Sequence, residues 1–358
     1  MLWGQALRDV LVKLGFKQAK SDPCLFHKIT KHCYTLVGVI VDDLVIASKT
    51  RAEANDLIRK IGKVYKVKNL GKPEYVIGIH IDHDEEKQVL QLNQKLYITN
   101  MGVLFGQSNA KQTTMPAAAT TKLRKDMGSP PCTKDYRALI GSLLYVVITR
   151  PDVATIISQL SRYLQAPQQA HYNTALRVLR YLISTKENPL VYKDEGFAKG
   201  KELVVDSGST WNSNPDNSRS RSGYAVTFNG CLISWKSTLQ NLVTLSSCET
   251  EYVALNLAAK EGLWLRYLLA ELQYPQTTTL IHVDNQSTIA LSRHSMAKPR
   301  TKHIAMRWHW IREQVAAGNF YVEYIPTADN LADFLTKVLS MLNTWHLLKR
   351  YMAGARDE

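Results

Sequence analysis

The sequence predicts an α+β or α/β protein. A mixed sheet flanked by helices follows a part built from a β-hairpin and helices. Three observations carry this reading. Tyr34 to Val41 is a β-rich run, then come Asp42 and Asp43, then the apolar run Leu44 to Ala47, which reads as a hairpin with two aspartates at its tip. Helical spacing recurs near 134–147, 151–165 and 168–184, with Pro151 and Pro167 at or near helix starts. Beyond residue 201, strands come first and then alternate with helices, the pattern of a layered domain.

The elements follow in order. Leu7, Val10, Leu11 and Leu14 share one helical face in 3–14, and Gly15 is a natural stop. Residues 51–61 read as helix. Strands are expected at 75–81 and 88–92, joined by the acidic turn Asp82–Glu86. Residues 113–134 are rich in Thr, Ala, Pro, Ser and Gly and read as a surface linker or long loop. A boundary is expected near 186–201, where periodicity fails. Strands are then expected at 202–206, 222–229, 231–236, 279–284 and 319–325. Helices are expected at 246–272, 285–293, 301–317 and 328–338. The expected domains are therefore 1–112, 113–195 (linker and helices), 196–345 and a tail at 346–358.

Composition narrows the function. The 358-residue chain is 45% hydrophobic and 21% charged, a globular balance. Its 45 Lys and Arg against 31 Asp and Glu give a net charge of +14, which points to a polyanionic partner such as nucleic acid. Residues 1–195 carry +11 of this and residues 196–358 only +3. The five cysteines include no C-x-x-C pair, which argues against a disulfide scaffold or zinc knuckle and fits a reducing compartment. The first residues do not read as a secretory signal, and the longest apolar stretch, Leu36 to Ala47, is broken by Asp42 and Asp43. No segment is suited to span a bilayer.

Adjacent aspartates in an apolar hairpin repel each other and resist burial, and a hard divalent cation such as Mg²⁺ removes the conflict. A polar turn is the simpler alternative. The second half repeats the oddity four times. Asp206 ends one strand, Glu251 opens the long helix after Ser246 and Ser247, Asp284 ends another strand, and Asp333 lies on the last helix. If they converge, four carboxylates suit a two-metal phosphodiester hydrolase, whose ions sit about 4 Å apart. Spacing alone equally allows four surface acids.

At these residues the chain resembles the C-terminal part of the Pol polyprotein of copia-type LTR retrotransposons. Trp3, Leu14-Gly15-Phe16 and Ser21-Asp22-Pro23-Cys24-Leu25-Phe26 are similar to one family segment. Ile40-Val41-Asp42-Asp43 resembles the YVDD box of the polymerase palm, with isoleucine where the aromatic usually stands. Asn69-Leu70-Gly71 with Tyr75 to Ile79, Tyr136 to Tyr145, Thr149-Arg150-Pro151-Asp152 and Arg177 to Leu182 continue the likeness. Ser234 to Ser237, Leu245 to Tyr252, Val283-Asp284-Asn285, Arg300 to Ile304 and Ala332 to Lys337 complete it in a ribonuclease H half.

The resemblance implies a truncated reverse-transcriptase palm with thumb or connection helices, then an RNase H-like domain. It implies Mg²⁺ or Mn²⁺ as cofactor, an RNA–DNA hybrid as partner, and hydrolysis of the hybrid's RNA strand. It also implies an intracellular setting: cytoplasmic, in a virus-like particle, or nuclear. Asp42 and Asp43 would be two of three palm carboxylates. The segment carrying the third should precede Trp3, so no polymerase activity is expected of this chain alone, and the reading frame is expected to be a truncated element or gene fragment. Glu251, rather than Glu249, matches the family's ribonuclease H glutamate, and Asp284 and Asp333 match its third and fourth acids. The first acid is ambiguous in the run Asp206-Ser207-Gly208-Ser209-Thr210-Trp211. Counting back from Trp211 selects Gly208, whereas counting along the strand selects Asp206. Asp206 is preferred, because no other acid follows until Asp216. A dead remnant that only binds nucleic acid is the alternative.

Arg219, Arg221, Lys236, Arg300, Lys302 and Arg307 are expected on a hybrid-binding face, with His303 touching a phosphate. The spacing of His294, His303 and His309 fits no zinc site. Trp264, Tyr267, Trp308 and Trp310 are expected in the core.

Overall fold

The computed structural model describes residues 2–31, 33–193, 202–293 and 305–353. The chain packs as two compact units, one of Met1–Glu74 with Leu263–Gln276, the other of Tyr75–Gly262 with Thr277–Glu358. This division does not fall at the expected borders 112/113 and 195/196.

In the first unit, α1 (Leu2–Lys13) precedes β1 (Lys17–Gln18), β2 (Leu25–Ile29), β3 (Tyr34–Ile40), β4 (Asp43–Ser48) and α2 (Arg51–Ile61). The strands form an antiparallel sheet in sequence order. Leu7 and Leu11, one turn apart on α1, bury themselves with Phe16, Phe26, Val37, Leu57 and Ile61. Gly15, at φ +87°, ends the first helix as expected. The Thr50 hydroxyl accepts from the Glu53 N–H and starts α2. The Glu271 carboxylate accepts from the backbone N–H groups of Lys20 and Ser21, at 2.6 and 3.0 Å, which ties residues 263–276 to the sheet.

The second unit holds two sheets. β5 (Tyr75–Val76), β6 (Ile79–Asp84), β7 (Val89–Asn93) and β8 (Leu190–Lys193) form an antiparallel one. The strand at 190–193 lies where the sequence predicts only a boundary. Pairing along β7 supplies order that four residues cannot supply alone. Between β7 and β8 come α3 (Lys95–Leu104), α4 (Tyr136–Val146), α5 (Ala154–Leu160) and α6 (Gln169–Ser184). Their shared core includes Leu139, Leu143, Ile157, Val178 and Leu182, together with Ala117 and Leu123. The segment 113–134, expected as a surface linker or long loop, is a loop that the last two anchor to this core.

The second sheet is formed by β9 (Leu203–Thr210), β10 (Arg221–Phe228), β11 (Cys231–Leu239), β12 (Thr279–Val283) and β13 (Phe320–Tyr324). Its order is β11-β10-β9-β12-β13. The first three form an antiparallel meander, whereas β12 runs parallel to β9 and β13 parallel to β12. This is the mixed sheet of the expected RNase H-like fold. Helix α7 (Ser247–Glu271) links β11 to β12; α8 (Gln286–Arg293) and α9 (Ala305–Ala316) link β12 to β13. The α7 backbone comes so near the sheet at Gly262 that an added Cβ would lie 3.1 Å from Val205.

Two C-terminal expectations need correction. Residues 328–338 form no α-helix, only short 3-10 turns at Thr327–Asp329 and Leu331–Leu335. Asn330 between them is extended, and its side chain donates to the Ser207 carbonyl at 3.0 Å, which pins the break to β9. Of the expected tail 346–358, the described residues 346–353 are packed: α10 (Met341–Leu348) buries Leu347 and Leu348, and Met352 is buried with them. Tyr267 is 58% exposed and Trp264 39%, so neither is a core residue.

The Thr149-Arg150-Pro151-Asp152 motif acquires a structural role. Arg150 and Asp152 are fully buried and paired twice, at 2.9 and 2.6 Å. The Tyr181 hydroxyl donates to Asp152 at 2.7 Å, and Arg150 donates to the carbonyl and hydroxyl of Thr185. The pair locks the turn after α4 to the end of α6. Asp152→Ala strands a buried guanidinium and is expected to cost about 3–5 kcal/mol in chemical denaturation. A loss below about 1 kcal/mol would contradict this role.

Candidate nucleic-acid and metal site

Glu251 lies just past the first turn of α7 and is 8% exposed. Its Oε1 accepts from the Ser209 N–H at 3.2 Å, while Oε2 is buried with no hydrogen-bond partner among the described residues. Burial, followed by the charge of Asp284, pushes its carboxyl up to about 8; Ser209 opposes this and Asp333 adds to it. Glu249 serves a different purpose. Its carboxylate accepts from the Leu245 N–H at 2.8 Å, while the Ser246 hydroxyl accepts from the Glu249 N–H. That is a helix cap, and it leaves Glu251 as the acid facing the others.

Asp284 directly follows β12 and accepts from the Thr327 hydroxyl at 2.9 Å. Asp333 sits in the second 3-10 turn and pairs with Lys337 at 2.8 Å. Burial raises the Asp333 carboxyl, Lys337 counters it, and the charge of Asp284 adds to the rise. Glu251, Asp284 and Asp333 therefore feel one another's charge. Sequence reasoning missed Thr327 and Lys337, although Lys337 stands four residues after Asp333, a spacing suited to pairing on a helical turn.

Asp206 does not join them. It is buried on β9 beside its register partner His282, whose Nδ1 lies 3.1 Å from Oδ1. Burial works against the charged imidazole, but the Asp206 bond and charge prevail and raise the His282 pKa. The two residues line a cavity of about 540 Å³ with Val204, Thr227 and Leu331. Val283 pairs with Ser207, so the next step along both strands sets Asp284 beside Gly208. The preferred first acid is thus two residues short of the cluster, at the next inward position of the strand. Gly208, the position found by counting back from Trp211, is the one beside Asp284.

The fit to a metal pair follows. Glu251, Asp284 and Asp333 offer the hard oxygens that Mg²⁺ or Mn²⁺ prefers, and the unpartnered Oε2 suits a cation. Among the described residues, no three His, Cys, Asp or Glu side chains stand close enough to hold one ion together. Two ions about 4 Å apart need carboxylates that reach both, and Gly208, beside Asp284 in the register, adds none. The residues do not fit a metal pair.

The hairpin expectation for Asp42 and Asp43 matches the geometry. Ile40 pairs with Asp43, so Val41 and Asp42 form the turn, and both aspartates are exposed. Val41, β-branched, adopts φ +54°, and its carbonyl accepts from Trp3 Nε1 at 3.0 Å. Such backbone is strained and persists because its surroundings hold it.

The basic residues divide. Lys236 is exposed and Arg219 half-buried. Arg221 is 1% exposed and donates to the hydroxyls of Ser158 and Ser237 at 2.8 and 3.0 Å, so it secures α5 to the sheet and faces no ligand. Burial, with Arg162 nearby, pushes it down to about 10. Arg300, Lys302 and His303 lie outside the described residues, as does His294. No described helix is long and apolar enough to cross a membrane.

Residues 1–119 match the family described as reverse transcriptase (RNA-dependent DNA polymerase). The chain is 35% identical over 348 residues to the retrovirus-related Pol polyprotein from transposon TNT 1-94 of Nicotiana tabacum, covering 94% of this chain and 26% of that protein. It is 32% identical to the corresponding polyprotein from transposon RE1 of Arabidopsis thaliana, covering 94% of this chain and 23% of that one. The chain thus spans about a quarter of the length of these relatives. Among solved structures, the N-terminal RNase H domain of rv2228c from Mycobacterium tuberculosis, a fusion with maltose binding protein, is 14% identical, with a TM-score of 0.30 over 38% of this chain and 91% of that one.

Glu251 yields a pH test. Its carboxyl is raised on folding from an ordinary 4.5 to about 8, so its contribution to stability is complete below pH 4.5 and is lost as pH rises through 8. Glu251→Gln removes this titration. The variant is expected to gain stability over the unmodified chain between pH 5 and 8, by up to about 1.4 kcal/mol per pH unit. Thermal unfolding of both across that range checks it, and parallel curves would contradict it.

Proposed function

Because this chain belongs to the Pol polyprotein family of copia-type retrotransposons, we propose that it is a reverse transcriptase/RNase H segment whose RNase H-like domain binds RNA–DNA hybrids. The observation that carries this reading is the grouping of Glu251, Asp284 and Asp333 at one end of the mixed sheet, within reach of one another's charge. A row of acids repels a polyanion, so binding draws on basic side chains such as Lys236 and Arg219. A-form geometry and 2′-hydroxyls are what such a surface reads. Asp42 and Asp43, exposed on the palm hairpin, would supply two carboxylates of a polymerase metal site.

The geometry favours binding over cleavage. Hydrolysis by two ions would need a further carboxylate in the cluster, and the nearest one on β9, that of Asp206, is engaged with His282 instead. The reading is therefore a hybrid-binding member of a hydrolytic fold.

Fluorescence anisotropy with a labelled RNA–DNA hybrid and the full chain tests this. Binding is expected in Mg²⁺, with affinity falling by roughly tenfold or more between 50 and 200 mM salt. Lys236→Glu is expected to weaken binding on all sequences alike and to flatten the salt slope by about one or more. Absent or salt-independent binding would overturn the proposal.

A further inference from the structure

The register of β9 and the packing around it converge on one residue. We propose that Gly208 occupies the position from which this sheet would present its central metal-binding carboxylate, leaving a three-acid site that holds an RNA–DNA hybrid without cutting it. This rests on the hybrid-binding reading above and goes beyond it by naming the residue that decides turnover.

Position comes first. Gly208 follows Ser207, and Asp284 follows Val283, its register partner. A Cβ built on Gly208 points to the turn that carries Asp333, at 3.4 Å from the Ala332 Cβ and 3.7 Å from both Asn330 Nδ2 and Thr336 Cγ2. Ser209, the next residue, holds Glu251 through its backbone N–H. Position 208 is therefore adjacent to the surroundings of all three acids.

Next comes whether the fold demands glycine there. Gly223, the β10 residue paired with Gly208, shows what such a demand looks like. A Cβ on Gly223 would lie 2.8 to 3.0 Å from Leu335 and Thr336, including backbone, so glycine is required. The contacts at Gly208 are ordinary, and its φ is not in the left-handed region. Neither packing nor backbone conformation excludes a Cβ at 208.

Unsatisfied oxygens occur on the same strand and on Glu251. Ser207 Oγ, Thr210 Oγ1 and Glu251 Oε2 are buried without hydrogen-bond partners among the described residues. Buried polar atoms of this kind need an account: Thr210 shares the face of 208, so a carboxylate there would lie on its side of the strand, whereas Ser207 projects from the opposite face. Without that carboxylate, one of the three remaining acids is already paired to Lys337. Two divalent ions at close range repel strongly, and this set lacks an anionic group to stand between them.

The test uses the full chain, unmodified and as Gly208→Asp, Gly208→Ala and Asp206→Asn. Three readouts are taken: anisotropy with a labelled hybrid, Mn²⁺ titration by calorimetry, and cleavage of the hybrid in Mg²⁺. The unmodified chain is expected to bind hybrid and leave it intact. Gly208→Asp is expected to bind Mn²⁺ on the order of tenfold tighter or more, and to cut the RNA strand. Gly208→Ala, which adds the Cβ alone, is expected to fold with an unchanged Tm and gain neither property. Asp206→Asn is expected to leave Mn²⁺ affinity unchanged. Cleavage by the unmodified chain that Asp206→Asn abolishes would overturn the inference. So would a Gly208→Asp chain that folds, binds hybrid and gains no metal affinity. If no variant binds hybrid while Gly208→Asp still gains Mn²⁺ affinity, the hybrid reading fails and the assignment of Gly208 stands.

Discussion

The alignment of β9 against β12 is the constraint on which the site depends. Side chains alternate along a strand, and a shift of one residue exchanges the two faces. The pairings His282 with Asp206 and Val283 with Ser207 therefore decide which residue meets Asp284. They also put Ser209 where its backbone reaches Glu251, and Ser207 where its carbonyl accepts from Asn330. Asn330 in turn fixes the turn that carries Asp333. Three acids far apart in the chain are brought together through one strand.

The electrostatics follow from that convergence. Burial in this corner disfavours the charged forms of Glu251 and Asp333, and the acids differ in their partners. Asp333 takes Lys337 as a partner, Asp284 takes the Thr327 hydroxyl, and Glu251 is left to hold its proton near neutrality. Asp206 avoids the problem by pairing with His282. A cluster settled in this way by protons and a lysine has a weaker demand for metal than one with four unpaired acids.

Much of this was legible in the sequence. The hairpin with Asp42 and Asp43 at its tip, the helices of 134–184 and the strand–helix alternation after 201 follow from periodicity and turn chemistry, and the structure has them at nearly those positions. The Glu249 carboxylate is consumed by the cap, through a bond to the Leu245 N–H four residues before it. What was not legible depended on long-range pairing. The β8 strand is ordered by β7, the 3-10 turns near Asp333 by a bond to β9, and Arg221 is buried by α5. None of these partners is near in sequence. The first acid was the hardest case. Asp206 and Gly208 lie on the same face of one strand, so alternation could not separate them, and only the cross-strand register does.

The central claim is that this site lacks a carboxylate needed to hold two ions. Counting ions tests it most directly, by electron paramagnetic resonance of Mn²⁺ bound to the full chain with a saturating RNA–DNA hybrid. The account predicts no spin-coupled pair, with at most one ion bound at the Glu251, Asp284 and Asp333 cluster. A coupled pair of Mn²⁺ ions that disappears in Glu251→Gln would contradict it.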